Sequence, residues 1–218
     1  MDRIRSSRQR SASVTRSLSD NRYRLLAASR KIRHAARWLL LFGLLVPAIS
    51  YGKGEAAIDF DLKNWDGEAI SMEKLKGQVV VLTFSYAFCS VSCPIITGRL
   101  KTLDEAMNSP GKVVYLHLSI DPEMDIPERR KDYFNLYGID AASDKRWKFI
   151  SGDKEELEKL WDFYEVKIDK TENPMLPEGY FMKYSPRVMI IAKDGVIKRE
   201  TDFYFSEKDI AAFLKGLL

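Results

Sequence analysis

Gln78-Val-Val-Val-Leu-Thr-Phe-Ser-Tyr86, followed after Ala87 by Phe88-Cys-Ser-Val-Ser-Cys-Pro94, is the stretch that decides the fold. Its first nine residues form a β-branched apolar run of a length suited to a buried parallel strand. Beyond it, Ile95–Asn108 reads as a helix, with Ile95, Ile96, Leu100, Leu103 and Met107 at helical spacing and Pro110 past its end. The chain's two cysteines, Cys89 and Cys93, therefore fall between a buried strand and a helix start. A helix N-terminus offers free amide donors and the positive end of a dipole, and both favour thiolate over thiol. Residues four apart share one helical face at a Cα separation of about 6 Å, inside the window for a disulfide. Two thiolates on one face also make a soft chelate suited to Cu(I). Pro94 takes a first-turn position, where a missing N–H costs little. The plainer reading is a structural bridge or two inert buried thiols, although so short a loop adds little chain-entropy stabilisation.

Working outward, strand and helix patterns alternate. Ile58–Leu62 reads as a short strand before a turn at Asn64-Trp65-Asp66-Gly67. Lys112–Ile120, Trp147–Ser151 and Arg187–Ala192 read as further strands, and Pro127–Leu136 and Asp153–Tyr164 as helices. Asp194-Gly195 is a two-residue hairpin signal leading into Val196–Thr201. Ser206–Leu217 closes the chain as a helix capped by Ser206, with Asp209 at N3. Lys167–Met182 has no clear period and reads as a long loop or irregular hairpin. The order β-β-α-β-α-β-α-β-β-α predicts an α/β protein with a thioredoxin-like fold, a central mixed sheet flanked by helices.

The 218 residues are 45% hydrophobic and 11% aromatic, which excludes wholesale disorder. The net charge of +4 divides unevenly: residues 1–37 hold eleven Lys/Arg against Asp2 and Asp20, and the remainder carries −5. The folded part is therefore mildly acidic, and a phosphate-tracking surface for nucleic acid is not expected there. After the basic tract comes the apolar run Trp38–Tyr51, too short for an ordinary spanning helix and followed by small residues. This reads as a secretory signal core or a retained membrane anchor, with the basic tract as its positive-inside flank. Residues 1–37 are thus a basic N-terminal region, 38–52 the signal or anchor segment, and 53–218 the folded domain. The expected location is the periplasm or the outer face of the inner membrane. No phosphate loop, zinc cluster, Ser-His-Asp arrangement or dinucleotide fingerprint is present in the sequence.

Phe88-Cys-Ser-Val-Ser-Cys-Pro94 resembles the Cys-x-x-x-Cys-Pro motif of the Sco/SenC family, the thioredoxin-fold proteins of cytochrome oxidase copper-site assembly. Ser119-Ile-Asp-Pro-Glu-Met-Asp-Ile-Pro-Glu128 is similar to that family's Asp-Pro-x-x-Asp-x-Pro segment, and the likeness runs from about Ile58 to Leu218. The resemblance implies a copper site completed by a histidine ten residues ahead of the Asp of an Asp-Gly turn. Counting back from Asp194 lands on Tyr184, a poor Cu(I) ligand. The two histidines lie elsewhere: His34 in the basic tract, and His117 inside a strand, where it reads as a satisfied core residue. Met182 shares Tyr184's face in an extended strand and is a candidate thioether. Ser185-Pro186 stands directly before the late strand, where thioredoxin-like reductases carry a cis-proline loop that receives substrate, so Tyr184, Ser185 and Pro186 are expected to form that loop.

These residues point to an exported protein thiol–disulfide oxidoreductase. Cys89 is the attacking thiolate and Cys93 the resolving thiol. The expected partner is another exported protein's dithiol, such as the cysteines of a cytochrome oxidase copper-site subunit, and no cofactor is required. The N-terminal segment would attach the protein to the membrane if uncleaved. The alternative is a Cu(I) metallochaperone using Cys89, Cys93 and an unidentified third ligand. Asp121 and Asp125 are candidates for proton transfer or partner contact, although a turn at Asp121-Pro122 and a helix cap at Asp125 explain them as well. Tyr86, Phe88, Tyr180, Phe181 and Tyr184 are candidates for an aromatic rim.

Overall fold

The computed structural model describes residues 54–107, 111–176 and 179–218. The basic tract with His34, and the apolar segment 38–52 with its export reading, lie outside the described residues. In chain order the elements are β1 (Leu62–Asn64), β2 (Ala69–Ile70), α1 (Met72–Leu75), β3 (Val79–Ser85), α2 (Ser92–Met107), β4 (Val113–Ser119) and α3 (Pro127–Asn135). They continue with β5 (Trp147–Ser151), α4 (Lys154–Phe163), β6 (Ile168–Glu172), β7 (Tyr180–Tyr184), β8 (Val188–Ile191), β9 (Ile197–Thr201) and α5 (Glu207–Lys215).

Seven strands form one mixed sheet in the order β2-β1-β5-β4-β3-β8-β9. β3, β4 and β5 run parallel, and β1 and β8 lie antiparallel against the two sides of that trio. Every residue of β3, β4 and β5 is buried, as expected where helices cover both faces of parallel strands. The arrangement is the thioredoxin-like class that the element order predicted.

The pairing explains where the site must be. β3 and β4 are in register from Val79↔Val113 to Ser85↔Ser119, so the loops after both strands leave from the same edge of the sheet. β8 enters antiparallel beside them, with Val188 opposite Thr83, and the Thr83 hydroxyl donates to the Arg187 carbonyl at 3.0 Å. Three loops thus converge: one carrying Cys89, one carrying Asp121 and Asp125, and one carrying Ser185 and Pro186.

β2 and α1 were not expected from the sequence, and four further elements differ from its reading. The first strand lies at Leu62–Asn64 rather than Ile58–Leu62, because a hairpin turn puts Leu62 opposite Ile70 and buries both. Lys167–Met182 resolves into the β6–β7 hairpin, with five paired positions from Ile168↔Tyr184 to Glu172↔Tyr180. α2 begins three residues early and takes in Cys93 and Pro94; proline's fixed φ suits a first turn. At Asp194-Gly195 only Gly195 has a positive φ (78°). The Ala192 and Val196 backbones meet across three residues there, not two, which is the hairpin type that needs one glycine-like position. The Ser206 cap is as expected, its hydroxyl accepting from the Asp209 N–H at 3.4 Å.

Candidate functional site

Cys89 sits in the loop after β3, and Cys93 is the second residue of α2. Both are free thiols. The loop opens with a turn in which the Cys89 N–H donates to the Tyr86 carbonyl at 3.1 Å. Cys89 Sγ then accepts the Cys93 backbone N–H at 3.2 Å, so sulfur satisfies one of the helix's otherwise unpartnered first-turn donors. Ser92 Oγ lies 3.5 Å from the same sulfur.

These contacts separate the two thiols. Cys89 is pulled down to about 6, chiefly because the Cys93 thiol hydrogen-bonds to its charged form, with help from Ser92 and the backbone N–H groups against an opposing cost of burial. Cys93, wholly buried, is pushed well up by burial and then by its charged neighbour. Near neutral pH the pair therefore holds one thiolate, at Cys89, and one thiol, at Cys93. Cys89 is the less enclosed of the two, 9% exposed against 0% for Cys93.

Tyr184, at the end of β7, reaches into this pair. Its hydroxyl lies 3.1 Å from Cys93 Sγ, accepts from Ser92 Oγ at 3.2 Å and donates to the Phe84 carbonyl at 3.1 Å. Burial and the neighbouring sulfur charge push its ionisation far above the usual phenol range, so it stays neutral. The ring of Tyr86 meets it edge-on. A neutral phenol is a hard oxygen group, and among the described residues no cluster of three or more His, Cys, Asp or Glu side chains is placed to hold a metal. The donor set here is two sulfurs and a phenol, which does not match a three-ligand copper centre with a nitrogen donor.

Met182 is buried and lines a cavity of about 570 Å3 with Ile120, Trp161 and Val166, and neither cysteine is in that lining. Ser185 and Pro186 do not form the expected cis-proline loop: the peptide bond between them is trans. Ser185 instead closes the base of the β6–β7 hairpin. Its N–H donates to the Lys167 carbonyl at 3.0 Å, and its Oγ accepts from the Lys167 N–H at 2.9 Å. Of the three residues expected to face the dithiol from this loop, Tyr184 is the one that touches it.

Asp121 accepts from the Tyr180 hydroxyl and lies 3.5 Å from Lys170 Nζ, pinning the β6–β7 hairpin to the loop after β4. Asp125 is not a helix cap; Ile126 occupies that position and makes no side-chain capping bond. The Asp125 carboxylate points instead at the dithiol loop and accepts the Ala87 N–H at 2.7 Å. Of the expected aromatic rim, Phe88 is partly exposed, whereas Tyr86 is buried and Tyr180 is engaged by Asp121. Phe181, also partly exposed, alternates to the opposite face of β7 from Tyr180 and Tyr184. Sequence reasoning missed Ser92 and the exposed apolar side chains Val91, Ile95 and Ile126. The signal for Ser92 was its place one turn after Cys89 on the helix face.

His117 is buried in the core as expected, but it is satisfied at one ring nitrogen rather than both. Its Nδ1 lies 2.9 Å from Ser85 Oγ, its Nε2 has no hydrogen-bond partner among the described residues, and Phe134 meets its ring edge-on. Burial pushes its pKa down to about 3, against an ordinary value of 6.5. A histidine depressed in the folded state takes up its proton only on unfolding, so its contribution to stability is lost as pH falls below about 6.5. Asp125, pushed up to about 7 by burial, has the opposite sign: its folded state gains protons as pH falls. The test is therefore a difference. In urea unfolding at pH 7 and pH 5, His117→Asn should remove an acid-side loss of about 2 kcal/mol relative to wild type.

The sequence model of the SCO1/SenC family matches residues 50–218. The SCO1 protein homolog of Bacillus subtilis is 28% identical over 162 residues, covering 72% of this chain and 82% of its own. The copper-bound structure of ScoI from Bradyrhizobium japonicum superposes with a TM-score of 0.61 at 25% identity, covering 75% of this chain and 99% of that one. BsSco, described as having a disulfide switch and as a member of the Sco family of cytochrome c oxidase assembly proteins, superposes with a TM-score of 0.60 at 23% identity, covering 75% and 94%.

Proposed function

This chain belongs to the SCO1/SenC family, and from that premise we propose that it is an exported thiol–disulfide oxidoreductase of cytochrome oxidase copper-site assembly. Its substrate is the disulfide form of a partner protein's cysteines, reduced so that they become free to take metal. Export is supported by the basic tract and the apolar run that precede the domain. The partner class is supported by relatives described as cytochrome c oxidase assembly proteins or as copper-bound. The observation that carries the reading is the unequal seating of the two sulfurs: Cys89 Sγ, before the helix, accepts the Cys93 N–H with Ser92 Oγ beside it, whereas Cys93 is wholly enclosed.

The steps follow from that split. The Cys89 thiolate attacks one sulfur of the substrate disulfide, forming a mixed disulfide and releasing the other substrate sulfur as a thiolate. Cys93 then passes its proton to the substrate thiolate released in the first step and attacks Cys89 Sγ, which breaks the mixed disulfide and releases the second substrate sulfur as a thiolate. Two electrons have passed to the substrate, and Cys89 and Cys93 end as a disulfide. An exported dithiol reductant restores the starting pair. Tyr184 and Ser92 hold the sulfurs in line meanwhile.

A second reading, Cu(I) carriage by the Cys89 and Cys93 thiolates, is favoured by the copper-bound relative and disfavoured by the phenol at Tyr184. Trapping distinguishes the two. Full-length Cys93→Ser, mixed with a peptide bearing an internal disulfide, should accumulate a one-to-one covalent adduct through Cys89 that dithiothreitol releases. Wild type should reduce the same peptide without accumulating the adduct. No adduct, together with no reduction by wild type, would end the oxidoreductase reading.

A further inference from the structure

The segment after β4 is tied to the dithiol loop at two consecutive residues. Asp125 Oδ1 accepts the Ala87 N–H at 2.7 Å, and the Arg129 guanidinium lies over the Phe88 ring at 4.7 Å while donating to the Met124 carbonyl at 3.0 Å. Asp125 is itself held from behind. Ser119 Oγ donates to Oδ2 at 2.6 Å, and Arg130 Nε donates to the Asp125 carbonyl at 2.9 Å. The same Arg130, buried, donates to the carbonyls of Lys63 and Phe149 at 2.7 and 2.9 Å and so grips β1 and β5. A continuous line of bonds therefore runs from the sheet, through Arg130 and Asp125, to the peptide two residues before Cys89. Neither Ala87 nor Phe88 belongs to a strand or helix, so nothing in the regular structure fixes them.

We propose that Asp125 is a positioning residue for Cys89, a strut that holds the Tyr86–Cys89 turn so that Cys89 Sγ meets the Cys93 N–H and the Ser92 hydroxyl. The inference rests on Cys89 being the reactive thiolate but not on the identity of its partner. Asp125 touches neither sulfur in its hydrogen bonds; it acts through Ala87. Its other charged neighbours are Asp121 and Arg130, and Ser119 is the polar side chain on β4 that it meets. The thiolate at Cys89 depends on donors that reach it only in this loop geometry. Once Ala87 is released, the sulfur loses them by degrees and should titrate closer to an ordinary thiol.

The experiment is the pH dependence of iodoacetamide alkylation at Cys89 in full-length protein, read by peptide mass spectrometry. Wild type should show a midpoint near pH 6. Asp125→Ala should raise it by about one unit or more, a tenfold or greater loss of thiolate below the midpoint. Asp125→Asn keeps an oxygen for the Ala87 N–H, and the Ser119 hydroxyl is free to turn and accept from the new amide, so this variant should stay close to wild type. A merely structural residue would lower the melting temperature in both variants and leave both midpoints in place. An unmoved midpoint in Asp125→Ala, or an Asn variant as shifted as the Ala variant, overturns the strut. A wild-type midpoint near 9 overturns the thiolate reading and the strut with it. Should Asp125→Ala not fold, amide hydrogen exchange in the unmodified protein decides the matter: the Ala87 amide should be protected about a hundredfold or more, and exchange at the rate of a free loop overturns the proposal.

Discussion

Cys89→Ser is expected to lower the rate of disulfide reduction at pH 7 by about a thousandfold or more. The nucleophile in exchange is a thiolate, and a serine hydroxyl does not ionise in the accessible range. Cys93 cannot take over. It has no exposed surface, and its thiol is pushed up both by burial and by its neighbour. In the variant that neighbouring charge is gone, but the burial that comes first among the causes remains. The wild-type rate should climb with pH to a plateau about a midpoint near 6, because the attacking group is deprotonated above that value. In Cys89→Ser the climb should disappear along with the rate. Stopped-flow reduction of a chromogenic disulfide from pH 5 to pH 9 reads both at once. A variant within tenfold of wild type would place the chemistry on another residue.

Tyr184→His is expected to raise Cu(I) affinity by about a hundredfold or more over wild type. The position is the one the family resemblance assigns to a ligand histidine, and the structure puts its hydroxyl 3.1 Å from Cys93 Sγ and 3.2 Å from Ser92 Oγ, which borders Cys89. An imidazole at this position on β7 would offer a nitrogen donor on the side of Cys93 and complete a soft donor set with the two sulfurs, whereas the neutral phenol offers only a weak oxygen. Tyr184→Phe separates this from mere loss of the hydroxyl: it should leave copper binding at the wild-type level. Anaerobic competition titrations on the full-length proteins, with Cys89→Ser as the blank, read all three. Equal affinity in wild type and Tyr184→His would mean that the side chain at 184 does not govern metal selectivity.

How far the site was legible depends on the distance over which each feature is set. The two cysteines at a strand-to-helix junction, the alternation of elements and the Ser206 cap are local, and each follows from side-chain spacing within a few residues. The place of Tyr184 was legible only through the family resemblance, which sets a ligand position ten residues ahead of the Asp194 turn, and the structure puts the Tyr184 hydroxyl against Cys93. The role of Ser185-Pro186 was not. A serine-proline pair ahead of a strand looks the same whether it faces a dithiol or closes a hairpin, and the partner that decided it, Lys167, lies 18 residues away. The tract at 167–182 left a long loop and an irregular hairpin as alternatives, because four of the five residues of β6 are exposed and give that strand no apolar face to read.

The order of residues settles which atoms are available: two thiols on one turn, a phenol in the expected histidine position, and an apolar strand set long enough to bury them. The chemical state of those atoms depends on the assembled fold. Cys89 favours the thiolate because the Cys93 thiol, Ser92 and backbone N–H groups converge on it, and Cys93 stays a thiol because it is wholly enclosed beside that charge, a difference of surroundings between two residues of identical chemistry. Asp125 changed from a helix cap to a strut because parallel pairing in register brings the loops after β3 and β4 side by side, so that a carboxylate reaches an amide 38 residues earlier in the chain. Propensity acts over a turn or two, whereas the field around a titrating group is set by everything within a few ångströms of it, and that neighbourhood exists only once the sheet is assembled.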